Sequence, residues 1–435
     1  MKFIQYILLL LAIALLADCS DDQADKAAIP ETGQSETGQM KTGEFKPPLH
    51  QADRNAEMEE VLRQTRIYAQ QEEEKRQKQI ESRERKLIIG VVGPETGEQS
   101  RYGMSVVNGV LAAAKRFNAE GGIDGKAIKV LHYNNESSMA KASNIVSYLI
   151  DQGAVAVLSS PTGASTFTPI HLINESKTIF VSIGSRRHIE RSGEYVFRTA
   201  IPDETATLDL IQYATTELGY VNYALVTSSN HDFSLDLSSM FKQAVYKSHG
   251  AIKVEADVYD TYTGSTNIDL VIDAIKNSAE PLQGVIFTGS ASEGILLAKG
   301  LKKAGLKLPI IGGEDLDSQA YLEAGNAVEG TLLYSTLAPD AQSSKMAEFI
   351  KDYGTSKPDR FSALAYDTFM LIADAIKTAG STNTGKVREA MINRKECMGI
   401  TGNTRFSREG APIKHPLLCK IKKGKHGERV VVLKQ

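Results

Sequence analysis

Residues 86–135 read KLIIGVVGPETGEQSRYGMSVVNGVLAAAKRFNAEGGIDGKAIKVLHYNN, and this stretch decides the fold class. The apolar run 87–92 is typical of a strand that is buried on both faces of a parallel sheet. A polar glycine-rich loop, a helix, a second glycine-rich turn and another strand follow in that order. The stretch therefore predicts a complete βαβ unit, with the loop 93–103 at the carboxyl end of its first strand, where open α/β sheets bind ligands.

The same alternation of apolar strand and amphipathic helix continues along the chain. We interpret as further strands the apolar runs 154–158, 179–182, 223–226, 284–287 and 309–311. This pattern predicts an α/β protein whose parallel sheets are flanked by helices. Roughly 350 residues exceed what one sheet usually organises, so we expect two Rossmann-like lobes. In such a protein the strand-end loops of both lobes can face one cleft, and a hinge can close the cleft over a small ligand.

Composition and motifs exclude several classes of function. The 435 residues carry a net charge of −3, which gives no electrostatic reason to expect nucleic-acid binding. The eight histidines show no metal-ligand spacing, and no Cys/His cluster occurs. The glycine-rich loops lack the Lys-Ser/Thr ending of a P-loop, and no GxSxG elbow is present. We therefore expect no metal, no cofactor and no enzymatic activity.

The first residues, MKFIQYILLLLAIALLADCSDD, indicate export. The apolar run 7–17 after Lys2 is too short to span a bilayer comfortably and has the length of a signal sequence. The sequence Leu16-Ala17-Asp18-Cys19 resembles the lipobox of bacterial lipoproteins, although Asp18 stands where a small residue is usual. The resemblance implies a signal peptide over residues 1–19, lipidation of Cys19 and a membrane-tethered periplasmic protein. Cleavage elsewhere and an uncleaved anchor are the alternatives.

Two segments separate this signal from the lobes. Residues 20–50 are rich in Thr, Gly, Gln, Pro and charge, and they have too little apolar content to order, so we expect a disordered tether. Residues 51–86 are dominated by Glu, Gln, Arg and Lys without Gly or Pro, which predicts a charged helix with almost no apolar stripe. We favour a helical spacer over a coiled coil or another partner-binding helix.

The chain also resembles a known family, the type I periplasmic binding proteins, and specifically the branched-chain amino-acid (Leu/Ile/Val) receptors of ABC importers. The matching landmarks are Gly93-Pro94 with Tyr102-Gly103, Phe117 to Glu120 before Gly121 to Gly125, Ser159 to Thr166, Gly312-Gly313-Glu314, Ala365-Tyr366-Asp367 through Gly380, and Gly399 to Gly402 before Phe406. The resemblance covers residues 87–435. It implies one lobe from residues 87–202 plus 337–398 and a second from residues 203–336 plus 399–435.

The resemblance also implies a set of ligand contacts. Tyr102 matches the aromatic residue of the first loop, and Glu314 matches the acid that pairs with the α-ammonium group of the ligand. Gly163, Ala164 and Ser165 match residues that bind its α-carboxylate, and a second carboxylate-binding stretch falls on Gly184, Ser185 and Arg186. The aromatic positions of the second lobe fall on Phe233 and Ser290. Arg186 stands where the family has a small hydroxyl residue, and Ser290 stands where it has an aromatic one.

Each of these residues also has a purely structural interpretation. Glu314 could cap a helix or pair with a surface lysine, and Tyr102 could pack its own loop. Arg186, next to Arg187 and His188, could belong to a solvated basic turn instead of a carboxylate clamp. Ser165 could simply start a helix.

The three cysteines are assigned as follows. Cys19 belongs to the lipobox, and Cys397 and Cys419 are expected to form a disulfide in an oxidising compartment. Two buried thiols are the alternative.

The resemblance implies a substrate-binding component of an ABC importer. It would capture an amino acid, an amide or a related small polar solute between its lobes and present it to ABC permease subunits. The alternative function is a lipoprotein regulator or sensor that binds a protein partner with the same fold.

Overall fold

The computed structural model describes residues 51–82, 85–260, 263–337, 344–354, 358–422 and 428–433. The predicted signal peptide with Cys19 and the predicted tether 20–50 lie outside these residues. Among these residues the structure divides after Ala69. No helix within the described residues is both long and apolar enough to cross a membrane.

The first described helix, α1, spans Gln51–Ser82. Its described side chains are almost all exposed, and pairs three residues apart, such as Arg63 with Glu60 at 2.8 Å, lie along it. Exposed pairs of this kind contribute little to stability. The helix therefore depends mainly on the propensity of its Glu, Gln, Arg and Lys residues.

The first lobe is built on a five-stranded parallel sheet with the strand order β2-β1-β3-β4-β5. Its strands are β1 Ile88–Gly93, β2 Lys129–Asn134, β3 Ala156–Ser159, β4 Ile179–Ser182 and β5 Val196–Arg198. Its helices are α2 Ser100–Ala119, α3 Met139–Asp151, α4 Ala164–Phe167, α5 Ile170–Ser176, α11 Ser344–Tyr353, α12 Arg360–Ala379 and α13 Thr384–Ile392. Every residue of β1, β3, β4 and β5 is buried. The continuous apolar runs in the sequence predict this burial on both faces.

Helices α2 and α12 pack closely in the first lobe. A Cβ atom at Gly109 of α2 would lie 2.2 Å from the backbone oxygen of Ser362 in α12, so the approach requires glycine. The same packing fixes the start of α12, where Phe361 lies against Gly184. A Cβ atom at Gly184 would lie 2.8 Å from the Phe361 ring.

The second lobe is built on a seven-stranded sheet with the order β18-β17-β12-β11-β10-β6-β7. Its strands are β6 Asn222–Thr227, β7 Ala251–Asp257, β10 Gly284–Phe287, β11 Ile310–Gly312, β12 Leu332–Ser335, β17 Leu417–Lys422 and β18 Glu428–Leu433. Its helices are α6 Asp203–Thr216, α7 Ser234–Lys247, α8 Ile268–Lys276, α9 Ala291–Lys303 and α10 Gln319–Glu323. β17 pairs antiparallel with β12 and with β18, while the pairs from β12 to β7 are parallel. Consecutive residues such as Tyr223 and Ala224 enter separate cores on opposite faces of the sheet.

Short two-stranded pairs complete the described structure. They are β8 Tyr259–Asp260 with β9 Ser265–Thr266, β13 Met398–Gly399 with β14 Gly402–Asn403, and β15 Arg405–Phe406 with β16 Pro412–Ile413. Phe406 packs on Phe197 in the first lobe, with ring centroids 5.1 Å apart. Phe406 therefore packs with the first lobe, and Leu417 begins a strand of the second-lobe sheet.

The predicted disulfide between Cys397 and Cys419 is corrected by the structure, which joins the two sulfurs by no bond. Cys397 packs against the core of the first lobe, and Cys419 is buried in a core of the second. The chain passes from one lobe to the other between them, so closeness in sequence does not bring the sulfurs together. Burial raises the pKa of the Cys397 thiol above its ordinary value.

Candidate functional site

The carboxyl ends of the central strands in each lobe bear polar loops. In the first lobe, β3 leads to Gly163, and β4 leads to Gly184 and Arg186. In the second lobe, β6 leads to Phe233 and β11 leads to Glu314. The contacts of these loops show which of the predicted residues share a site.

Arg186 connects the two lobes. Its Nε and Nη2 atoms each donate a hydrogen bond to the carboxylate of Asp203, both at 3.0 Å. Its Nη1 donates to Oδ2 of Asp315 at 2.7 Å, and its guanidinium lies 4.4 Å from the centroid of the Phe233 ring. Asp203 begins helix α6 of the second lobe, and Asp315 follows β11. The solvated basic turn is therefore the wrong interpretation for Arg186, whose side chain is 20% exposed.

The electrostatics of this contact are those of a mostly buried ion pair. Burial alone would lower the pKa of Arg186, but Asp203 and Asp315 hold it well above its ordinary value. Burial would also raise the pKa of Asp315, but Arg186 and Arg360 outweigh that effect and lower it. The buried Tyr334 hydroxyl also donates to Oδ1 of Asp203, so this carboxylate accepts from Arg186 and from Tyr334 together.

Glu314 and Arg360 form a second charged contact between the lobes. Its Oε1 accepts a hydrogen bond from the backbone N–H of Thr336 at 2.5 Å. Its Oε2 lies 3.8 Å from Nε of Arg360, and Arg360 also donates through Nη1 to the backbone oxygen of Glu314 at 2.8 Å. Burial raises the pKa of the Glu314 carboxyl, and Arg360 and Thr336 oppose that rise only in part. The carboxylate is thus only partly compensated.

Tyr102 is joined to this contact through Phe361. The Tyr102 and Phe361 rings meet edge to face with their centroids 5.1 Å apart. The guanidinium of Arg360 lies 4.9 Å from the centroid of the Phe361 ring, and Phe361 in turn touches Gly184. A continuous set of contacts therefore includes the predicted residues Tyr102, Gly184, Arg186, Phe233 and Glu314.

The ion pairs of this cluster leave an excess of negative charge. Among the described residues that form them, the carboxylates of Asp203, Glu314 and Asp315 face the guanidiniums of Arg186 and Arg360. Carboxylates therefore outnumber guanidiniums by one. Outside these ion pairs, Glu314 also raises the pKa of the buried Lys414 ammonium, so a third cation acts on this carboxylate.

Other predicted site residues have structural roles of their own. Ser165 is buried, and its hydroxyl donates to the backbone oxygen of Thr162 at 3.0 Å. Ser185 donates to the backbone oxygen of Arg187 at 3.2 Å. Gly163, which precedes the single turn of α4, and Ala164, its first residue, are exposed. No contact in the described residues joins Gly163, Ala164 or Ser165 to the charged cluster.

Ser290 belongs to a helix cap. Its hydroxyl accepts from the N–H of Glu293, whose carboxylate accepts from the N–H of Ser290, so the two form a capping box for α9. Glu293 also accepts a hydrogen bond from the Ser228 hydroxyl at 2.7 Å. Ser290 thus stabilises the N-terminus of α9, and it supplies no aromatic wall.

Five residues of the site are not singled out from the sequence: Asp203, Asp315, Tyr334, Arg360 and Phe361. The sequence signal that points to Asp315 is its position directly after Glu314. Arg360 and Phe361 open a long amphipathic helix after Asp359, which forms a capping box with Ser362. That pattern predicts a helix start, but it gives no signal that Arg360 reaches the second lobe or that Phe361 packs on Tyr102 and Gly184. Within the described residues no cluster of His, Cys, Asp and Glu is arranged to hold a metal ion.

Comparison with known proteins supplies the family. A profile described as "Periplasmic binding protein" matches residues 86–425, well over half of the chain. The chain belongs to the periplasmic binding protein family. This family resemblance is the one that the sequence motifs indicate, and the two-lobed α/β fold agrees with it.

Named relatives of this periplasmic binding protein are distant. It is 22% identical over 350 residues to the Leu/Ile/Val-binding protein homolog 2 of Brucella abortus (strain 2308), covering 79% of the chain and 92% of the relative. A putative branched-chain amino acid ABC transporter from Rhodospirillum rubrum has a similar structure, with a TM-score of 0.71 and 22% identity over 79% of this chain and 99% of that one. A solute binding protein of an ABC transporter from Rhodopseudomonas palustris BisB5, in complex with 3,4-dihydroxy benzoic acid, gives a TM-score of 0.63 and 18% identity over 79% and 96%.

Proposed function

We propose that this periplasmic binding protein captures an amino acid or a related small polar solute between its lobes and delivers it to an ABC permease. The observation that supports this function most directly is the convergence of charged side chains from both lobes. Arg186 and Arg360 come from the first lobe, and Asp203, Glu314 and Asp315 come from the second. The excess carboxylate suits an α-ammonium group, which would form charge-assisted hydrogen bonds in a site shielded from water.

Two buried polar atoms near this cluster add to the case. Oγ1 of Thr336 and Nδ1 of His231 have no hydrogen-bond partner among the described residues. Thr336 binds Glu314 through its backbone, and His231 is close enough to influence the pKa of Asp315. An unsatisfied buried polar group costs about 1–3 kcal/mol, so a polar solute that bonds to these atoms would recover part of that free energy.

One relative is named for the same class of solute, and one similar structure holds a solute of another class. The Brucella relative is named as a Leu/Ile/Val-binding protein homologue, whereas the Rhodopseudomonas protein binds a hydroxylated benzoic acid that lacks an ammonium group. The excess carboxylate of the cluster favours an amino acid over a benzoic acid as the solute of this chain. Arg186 and Ser290 depart from the branched-chain pattern, so the solute is expected to be more polar than leucine or valine.

A solute screen on the purified protein tests the function. Thermal unfolding would be followed with each amino acid, with its deaminated and its decarboxylated analogue, and with urea, amides and hydroxybenzoic acids. A solute at 100 times its Kd stabilises the protein by ~2.7 kcal/mol. We expect shifts from compounds with an ammonium group and a loss of the shift on deamination. Shifts from hydroxybenzoic acids alone, or no shift in a folded sample, would contradict the proposal.

Glu314→Gln is expected to weaken binding of the solute found in this screen by ~1.5–3 kcal/mol, the usual contribution of a hydrogen bond to a charged group. Glutamine keeps an oxygen that can accept from the Thr336 N–H but removes the charge, so the fold should survive. Calorimetric titration measures the change in affinity. Glu329→Gln, at an exposed position before β12, is the matched control. Equal affinities of wild type and Glu314→Gln would remove Glu314 from the site.

We also propose that a lipid on Cys19 tethers the exported protein to the membrane. Cys19→Ser should then release the protein from the membrane fraction into the soluble periplasmic fraction, because the thioether that bears the lipid cannot form. Fractionation and immunoblotting measure this distribution, with Cys397→Ser as the control that should stay with the membrane. An unchanged membrane fraction for Cys19→Ser would indicate an uncleaved helix or another anchor.

A further inference from the structure

Arg186 enters the space between the lobes and is bound there on several sides. Three of its nitrogens donate hydrogen bonds to the carboxylates of Asp203 and Asp315. Its guanidinium also covers one face of the Phe233 ring. Carboxylates together with an aromatic face are the groups that recognise an organic cation in a binding site. In this protein they hold a cation that belongs to the chain itself.

The loop that carries Arg186 is fixed from within the first lobe. The N–H of Gly184 donates to the Thr199 hydroxyl at 3.3 Å, and the Ser185 hydroxyl donates to the backbone oxygen of Arg187 at 3.2 Å. Gly184 has a φ of +75° and lies directly against Phe361. The guanidinium is therefore presented to the second lobe by an ordered turn.

The neighbouring Arg187 provides an internal comparison. It also reaches across to the second lobe, where it donates to Asp232 at 3.1 Å. The two side chains of that pair are 63% and 85% exposed, however, against 20% and 6% for Arg186 and Asp203. An exposed pair is screened by water and contributes little to stability. A comparison of variants at the two adjacent arginines therefore distinguishes the loss of a buried charge from the loss of an exposed one.

We propose that Arg186 is a specificity-determining residue that occupies part of the cleft as a tethered cation. A positively charged solute then has to compete with its guanidinium for Asp203 and Asp315, and an apolar side chain cannot stack on the covered face of Phe233. The proposal rests on the proposed function in one respect, because that function makes the cleft the solute site. Occupancy by Arg186 can nevertheless be tested without any solute.

Chemical rescue tests the occupancy. Arg186→Ala leaves a space beside Asp203, Asp315 and Phe233 that fits a free alkylguanidinium ion. We expect the variant to unfold at a lower temperature than wild type. Ethylguanidinium, at millimolar concentrations far below those that denature proteins, should raise its midpoint saturably by about 2–5 °C. Wild type and Arg187→Ala should show no saturable rise. A folded Arg186→Ala protein without this response, or an equal response from Arg187→Ala, would overturn the proposal.

A second variant covers the case in which Arg186→Ala does not fold. Arg186→Met keeps the apolar stem on Phe233 but loses the charge that joins the lobes. Solution X-ray scattering without solute should give a larger radius of gyration for Arg186→Met than for Arg187→Met. Equal radii would overturn the proposal.

The two proposals can fail separately. Rescue by ethylguanidinium together with an empty solute screen would contradict the proposed function alone. An amino acid that binds wild type and Arg186→Ala equally, with no rescue, would contradict the role of Arg186 alone.

Discussion

Replacing Glu190 by alanine is expected to lower the free energy of unfolding by ~3–5 kcal/mol. Oε2 of Glu190 accepts a hydrogen bond from Nε of Arg198 at 2.9 Å, and the two side chains are 2% and 3% exposed. Alanine would leave the guanidinium buried in the first lobe without the carboxylate that compensates it. Chemical denaturation of wild type and variant measures the difference.

Two further variants distinguish the effect of breaking a buried ion pair from the effect of removing any charge. Arg187→Ala breaks the exposed pair with Asp232 and should change stability by no more than ~1 kcal/mol. Replacing both members of the buried pair, as Glu190→Leu with Arg198→Met, should recover most of the loss, because no uncompensated charge stays buried. If Glu190→Ala is as stable as wild type, the pair contributes no net stability.

The stability of the wild type relative to Lys414→Met is expected to rise by on the order of 2 kcal/mol between pH 7 and pH 10. Lys414 lies buried between β16 and β17, where its ammonium donates to the Thr401 hydroxyl. Burial lowers its pKa from 10.5 to about 8, although Asp367 and Glu314 oppose the change. The amine therefore binds its proton less tightly in the folded chain than in the unfolded one.

The direction of the pH dependence follows from this difference. Below pH 8 both states are protonated, and the folded state bears the full cost of the buried charge. As the pH rises from about 8 toward 10.5, the folded chain has released a proton that the unfolded chain retains, so the cost disappears. Taking the difference from Lys414→Met removes the titration of groups that Lys414 does not influence. Cys397 does interact with Lys414, so both proteins carry Cys397→Ser in this comparison. Lys420→Met, at an exposed position of β17, should show no such change. A flat difference for Lys414→Met would show that the amine is not desolvated.

The sequence by itself determined the two-lobed α/β architecture, and it singled out five of the ten residues that form the contacts of the candidate site. A strand buried on both faces requires a continuous apolar run, and β1, β3 and β4 have one, so their assignment needed only local pattern. Loops at the carboxyl ends of parallel strands share one edge of a sheet. That rule and the family resemblance together predict that Tyr102, Gly184, Arg186, Phe233 and Glu314 lie in one site, and their binding of a ligand stays a prediction.

Tertiary structure alone decided what these residues contact. Arg186 pairs with Asp315, 129 positions away, and periodicity over a few residues contains no information on such a distant partner. Ser165 and Ser290 match ligand-binding positions, but their hydroxyls bond within their own loops. Cys397 and Cys419 are close in sequence, yet the chain passes between the lobes in the interval, so Cys397 packs against one core and Cys419 is buried in another. Local pattern fixes which face of an element is buried, whereas the pairing of charged side chains depends on how two separately folded lobes meet.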